Sequence, residues 1–292
     1  MSELTATLRI FEAHPGIFAY YDGRVAGKRL HSAAANWLDD GAYGLGIASY
    51  AIVDSGTALI YDTHISVPHA QAIRAHIEGL GVSSIRVALS HWHSDHIAGN
   101  EVFADCEIIA LKLTAEALLA NREEIARRPP PIEPLVMPNR LFEDQLELYV
   151  GSRRVELHHF DIHSADGNVV WLPDTSILLA GDTLEDTVTY VSEAQHVATH
   201  IRELARMRTW PIHSILPSHG DPARIAAGGY GVNLIEANRN YLERLTELVK
   251  TTEGSAGSLA DFIATDLSSG AISYFEPYEA VHRKNIAALA AA

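Results

Sequence analysis

Ile85-Arg86-Val87-Ala88-Leu89-Ser90-His91-Trp92-His93-Ser94-Asp95-His96 is a mostly apolar run that ends in three histidines and a carboxylate within six residues. The apolar part reads as a buried strand. Alternate side chains of an extended chain share a face, so His91 and His93 can converge on one ion while Trp92 points away. Where the chain turns toward a helix, Asp95 and His96 can swing to a second ion. Imidazole with carboxylate suits Zn²⁺ and its first-row neighbours, whereas Ca²⁺ or Mg²⁺ would be held by oxygens. A solvated histidine-rich turn is the plain alternative in a chain with 16 histidines. The placement at a strand end, with partners far along the chain, argues against it.

Outward from this stretch, Pro68 stands near a helix start. Ala72, Ile73, Ile77 and Leu80 follow at three-to-four spacing, and Gly79 and Gly81 stop the helix. With strands predicted at 47–53 and 58–61, split by the turn Asp54-Ser55-Gly56, the unit is β-α-β. A helix is predicted over 113–128, ended by Pro129-Pro130-Pro131. The second half repeats this grammar, with strands at 155–160, 169–172, 177–180 and 214–216 and a helix at 193–207. Two similar halves imply two packed sheets with helices outside. Helices at 232–249 and 279–289 make a helical C-terminal extension, about 232–292, of one domain spanning 1–292.

With 292 residues and 47% hydrophobic content, the chain can bury a large core, and a formal charge of -15 argues against nucleic acid as a partner. The single cysteine, Cys106, rules out an internal disulfide; it is read as a core residue of a strand at 106–110 rather than a nucleophile. Residues 1–11 show neither a signal peptide nor a membrane helix, so the expectation is a cytoplasmic protein with no membrane partner. A homo-oligomer is left open.

A cluster at a strand end needs further ligands, and three residues stand just beyond apolar runs: His163, Asp182 after Ile177-Leu178-Leu179-Ala180-Gly181, and His219 after Ile215-Leu216-Pro217-Ser218. Gly181 and Gly220 fit close backbone approach or a simple turn. Five histidines and two aspartates suffice for two metals with one shared carboxylate.

Leu59-Ile60-Tyr61-Asp62-Thr63, the His91–His96 cluster with Gly99-Asn100, His163-Ser164-Ala165-Asp166-Gly167-Asn168-Val169-Val170, Gly181-Asp182 and Pro217-Ser218-His219-Gly220 appear in an order that resembles the metallo-β-lactamase superfamily. The resemblance implies an α/β protein, an αββα four-layer sandwich, with the site on one edge. It implies that His91, His93 and His163 hold a first metal, that Asp95, His96 and His219 hold a second, and that Asp182 bridges them. It also makes Asp62 the group that orients the histidine loop.

The chemistry so implied is that of a dinuclear zinc hydrolase, with Fe or Mn as other occupants of the same donors. A water activated between two ions attacks a small-molecule carbonyl substrate: a lactone, ester or amide. Asp95 and Asp182 are the catalytic carboxylates, and Tyr190 stands about where lactonases of the superfamily place an oxyanion donor. A true β-lactamase is the neighbouring alternative. Against it stand Asp182 where the best-known group has cysteine, and Glu185 where that group has a lysine to pair the drug's carboxylate. A thioesterase, a mononuclear iron persulfide dioxygenase and a catalytically idle binding protein on the same fold are the other readings.

Overall fold

The computed structural model describes residues 3–250 and 257–292. Among the described residues, twelve strands form two mixed sheets. The first runs in the order β1 (Arg9–His14), β2 (Ile17–Asp22), β3 (Ile47–Asp54), β4 (Thr57–Tyr61), β5 (Ser84–Ala88), β6 (Glu107–Leu111), β7 (Arg140–Phe142). It is antiparallel from β1 to β4 and parallel from β4 to β7. The second has β8 (Gln145–Val150), β9 (Arg153–His159), β10 (Asn168–Leu172) and β11 (Ile177–Gly181) antiparallel in turn, with β12 (Ser214–Pro217) parallel to β11.

Strand periodicity separates the layers. In β4, Leu59 and Tyr61 face the second sheet with Ala48, Tyr50 and Ile52 of β3, and they meet Leu148, Val155, Leu157 and Val170 across the interface. Ala58 and Ile60 point the other way, into a second apolar layer with Ile73, Ile77, Leu118 and Ile125 from the helices. Both faces of the central strands are therefore covered, as parallel pairing requires.

The outer helices on the first sheet are α1 (Val67–Gly79), the short α2 (Ser94–Ile97), α3 (Lys112–Ala120) and α4 (Arg122–Arg127). Helix α1 begins as its sequence suggests: Ser66 caps it by accepting from His69 N, and Pro68 sits in the first turn. The helix expected over 113–128 is instead two. Asn121 breaks it, with φ -99° and ψ 8° and its side-chain amide on Ala117 O at 2.9 Å, competing with the helical ladder. On the side of the second sheet follow α5 (Val197–Met207), α6 (Pro222–Ala226), which packs on β1 and β2 of the first sheet, α7 (Asn233–Lys250), α8 (Leu259–Phe262), α9 (Ala264–Ser268) and α10 (Tyr278–Ala291). Leu204, Met207, Leu234, Tyr241, Leu245 and Tyr278 join these helices to the core between the sheets.

Cys106 precedes β6 rather than starting it, and it is half-buried against the outer layer. Burial pushes its thiol up to about 11, so it is no nucleophile at neutral pH. Among the described residues no helix is long and apolar enough to cross a membrane.

Candidate metal centre

Strands β4, β5, β11 and β12 all end on one edge, and the chain leaves each with a polar side chain. Asp62 follows β4, Ser90 to His96 follow β5, Asp182 follows β11 and His219 follows β12. His163 arrives on the loop after β9, closed by the bridge between Ile162 and Ser164. Asp62 and His163 both sit at φ 68°, a left-handed conformation costly for a side-chain-bearing residue, so the surrounding fold must hold them there. Gly181, at φ +55°, could not carry a side chain: a Cβ would lie 2.8 Å from Tyr61 Oη and 2.9 Å from the Ser90 Cβ. Gly220 is less constrained, with the nearest atoms 3.1 Å from a Cβ position.

The seven residues singled out as ligands meet in two groups, His91 with His93 and His163, and Asp95 with His96, Asp182 and His219; within each, the donor atoms lie within 4.8 Å of one another. In the first, His93 Nδ1 stands 2.8 Å from His91 Nε2 and 3.0 Å from His163 Nε2. Ligands placed tetrahedrally about 2.0–2.1 Å from zinc are about 3.3 Å apart, so little movement would seat an ion. Asp182 Oδ2 lies between the groups: 3.2 Å from His96 Nε2, 3.5 Å from His219 Nε2, 3.7 Å from His163 Nε2 and 3.8 Å from His91 Nε2. Its other oxygen is buried with no hydrogen-bond partner.

The far side of each ring explains which nitrogen faces inward. His163 Nδ1 donates to Tyr190 O at 3.0 Å and His219 Nδ1 to Gly46 O at 2.6 Å. A carbonyl only accepts, so Nδ1 carries a proton and Nε2 is the nitrogen left to face the centre. His96 Nδ1 donates to Asp62 Oδ2 at 2.8 Å, whose Oδ1 takes Ser90 N–H at 2.7 Å. Ser90 Oγ contacts His91 Nδ1 at 2.9 Å.

The electrostatics match this donor set. Burial, reinforced by the neighbouring rings, drives His91 well below its usual range and His93 to about 3; burial, outweighing the pull of Asp182, takes His163 to about 4. All three are neutral, as ligation requires. Burial opposes charge on Asp182 and Asp95 too, but His96 and His219 outweigh it and hold both ionised, Asp95 at about 2. The same carboxylates overcome burial and raise His96 and His219 well above the ordinary imidazole value. The carboxylates thus gather positive charge on the two rings of the second group, a role that a divalent cation would take over.

A cavity of about 560 Å³ opens over the centre and reaches His93, Asp95, His163, Asp182 and His219. Trp37, Leu45, Trp92 and Tyr190 supply apolar wall, and Arg128, Asp40 and Lys284 line it with mixed charge. Trp92 thus borders the cavity, its ring 4.9 Å from that of His93. Tyr190 is placed by its backbone: its N–H bonds Glu185 Oε1 at 2.7 Å, its carbonyl orients His163, and its ring centroid is 6.2 Å from the His163 ring. Glu185 lines the cavity as well. It is 1% exposed, burial pushes its carboxyl up to about 8, and it accepts from Tyr190 N and, at 3.1 Å, from Tyr278 Oη. Through these two bonds it ties the loop after β11 to α10.

Some contributors leave no sequence signal. The carbonyls of Gly46 and Tyr190 orient ligands irrespective of their side chains, and Trp37 reaches the cavity on a π-helical turn, Trp37–Tyr43, capped by Asn36. Ser90, by contrast, could have been noticed from its place beside His91.

Comparison with solved structures gives the fold the same standing. DIM-1 metallo-β-lactamase superposes with a TM-score of 0.61 at 21% identity, covering 81% of this chain and 96% of that one. VMB-1 gives 0.60 at 16%, covering 90% and 98%, and a metallo-β-lactamase from Pontibacter korlensis gives 0.58 at 16%, covering 78% and 99%. At such identities the likeness speaks for the architecture. Comparison with curated proteins finds no match. The model of the metallo-beta-lactamase superfamily matches residues 42–239, which include all seven clustered His and Asp side chains, and the chain belongs to that superfamily.

Proposed function

We propose that the chain is a dinuclear metal-dependent hydrolase acting on a small carbonyl compound, a lactone, ester or amide. The observation that carries this reading is Asp182 Oδ2, set between a three-histidine group and an Asp-His-His group and within 3.8 Å of a nitrogen from each of four histidines. His91, His93 and His163 would hold one ion, Asp95, His96 and His219 the other, and Asp182 both. Imidazole-rich donors favour zinc, with iron or manganese as alternatives. Bound there, a pair of divalent ions supplies a water acidic enough to react near neutral pH and polarises the substrate carbonyl.

The chain's own residues do the rest. Asp95, ionised and 17% exposed at its side chain, borders the cavity, where it orients the attacking water and accepts its proton. Tyr190 stands on the cavity wall as donor to the developing oxyanion. Apolar wall from Trp37, Leu45 and Trp92 excludes water and holds the body of a small substrate. No protein nucleophile is needed.

The test is a panel of lactones, esters, thioesters, phosphodiesters and a β-lactam, run on protein of known metal content. The expected result is turnover of a carbonyl substrate, lost on chelation and in Asp182→Ala. Turnover confined to phosphodiesters would overturn the substrate class, and one iron per chain with oxygen consumption would overturn hydrolysis.

A further inference from the structure

Away from the cavity, behind the loop that carries His163, a second group of ligating side chains is assembled: Asp161, Glu193, His196 and His200. Their donor atoms also lie within 4.8 Å of one another. His196 and His200 are spaced i, i+4 across the start of α5, so both rings project from one face. Asp161 comes from the end of the β9 loop, and Glu193 immediately precedes the 3-10 turn Ala194–His196. His196 Nδ1 is 3.0 and 3.2 Å from the two Asp161 oxygens and 3.7 Å from Glu193 Oε2; His200 Nε2 is 3.3 Å from Asp161 Oδ1.

We infer that Asp161, Glu193, His196 and His200 form a second, structural binding site for a divalent transition-metal ion of the zinc type.

A hydrogen-bonded surface network is the simpler account of these residues, and His200 does not fit it. His200 is 2% exposed, and its Nε2, aimed into the cluster, makes no well-aligned hydrogen bond: Asp161 Oδ1 at 3.3 Å attracts it as a charge but lies out of line. A buried ring nitrogen left so is rare and calls for a ligand. The donor set, two imidazoles and two carboxylates, is one that zinc takes in four-coordinate form, whereas Ca²⁺ would demand more oxygens. Access is open, with side-chain exposures of 36% for His196, 20% for Asp161 and 25% for Glu193.

The position gives such an ion a purpose. Glu193 also accepts Ala165 N–H at 2.9 Å, and Ser192 Oγ donates to His163 O. An ion joining Asp161 to Glu193 would clamp both sides of the 161–165 loop and so brace His163 from behind. Nothing in this depends on which reaction the main centre carries out.

The test titrates the full chain, stripped by chelator, with Zn²⁺ alone, and counts equivalents calorimetrically for the wild type, His196→Gln and Glu193→Gln. Both variants replace partly exposed side chains, and circular dichroism checks that each is folded. The expected result is an equivalent that binds tightly in the wild type and is weakened roughly tenfold or more in both variants. Because the difference is read, it holds whatever the main centre binds. Equal stoichiometry and affinity in all three proteins would overturn the site.

Discussion

Asp62→Asn isolates the part of the centre that depends on hydrogen-bond polarity alone. The Asp62 carboxylate, 1% exposed, accepts from Ser90 N at 2.7 Å and from His96 Nδ1 at 2.8 Å. Asparagine has the same shape but only one acceptor oxygen. If that oxygen keeps the Ser90 bond, the amide NH₂ faces His96 Nδ1, which must then accept, and the His96 proton moves to Nε2, where it points at Asp182 and blocks ligation. Loss of an orienting partner typically weakens a metal site about 10- to 100-fold, or about 1.4–2.7 kcal/mol. The effect should fall on one ion only, since of the first group His91 takes its orientation from Ser90 Oγ and His163 from Tyr190 O. Zn²⁺ competition against a chromophoric chelator measures this. The expected result is two-phase: one equivalent weakened within that range and another at wild-type affinity. Wild-type affinity throughout would refute the orienting role of Asp62, and equal weakening of every equivalent would refute the separation into two groups.

Gly181→Ala combines a left-handed φ of +55° with a Cβ 2.8 Å from Tyr61 Oη, so it should lower unfolding free energy by more than the roughly 1–2 kcal/mol of the backbone term alone, read by urea denaturation; a change within error would mean that the backbone behind Asp182 is freer than described. Asp166 should make stability fall with pH. Burial pushes its carboxyl up to about 6, against the bonds from Ser164 and Thr114 that lower it, while the unfolded chain titrates near the ordinary aspartate value of 3.8. Between those values the unfolded state has released a proton that the folded state retains, so this contribution is favourable at low pH and lost as pH rises through about 6. The metal-stripped wild type should thus lose about 2 kcal/mol relative to Asp166→Asn between pH 4 and pH 8, and a pH-independent difference would be evidence against it.

Much of this centre is legible in the sequence because each ligand ends an apolar run. The strand before it is recognised by β-branched and aliphatic residues, and parallel strands place their ends on one edge, so His91, Asp182 and His219 converge without any long-range information. His163 is harder, since it stands four residues past β9 and is itself left-handed. What stays hidden is what side-chain identity does not encode. The carbonyls of Gly46 and Tyr190 could belong to any residue. Strand β7 has three residues and owes its pairing to β6 beside it. Asn121 reads as a tolerable helix residue until its amide is seen on Ala117 O. Glu185 illustrates the same limit for charge: nothing in its letter shows that burial, with Tyr278 of α10 against it, pushes its carboxyl up.

The most direct test of the two-ion centre is anomalous diffraction from zinc-soaked crystals, collected on both sides of the zinc edge. The account predicts two peaks flanking Asp182, one among His91, His93 and His163 and one among Asp95, His96 and His219. A single peak there, or two peaks that share no contact with Asp182, would contradict it.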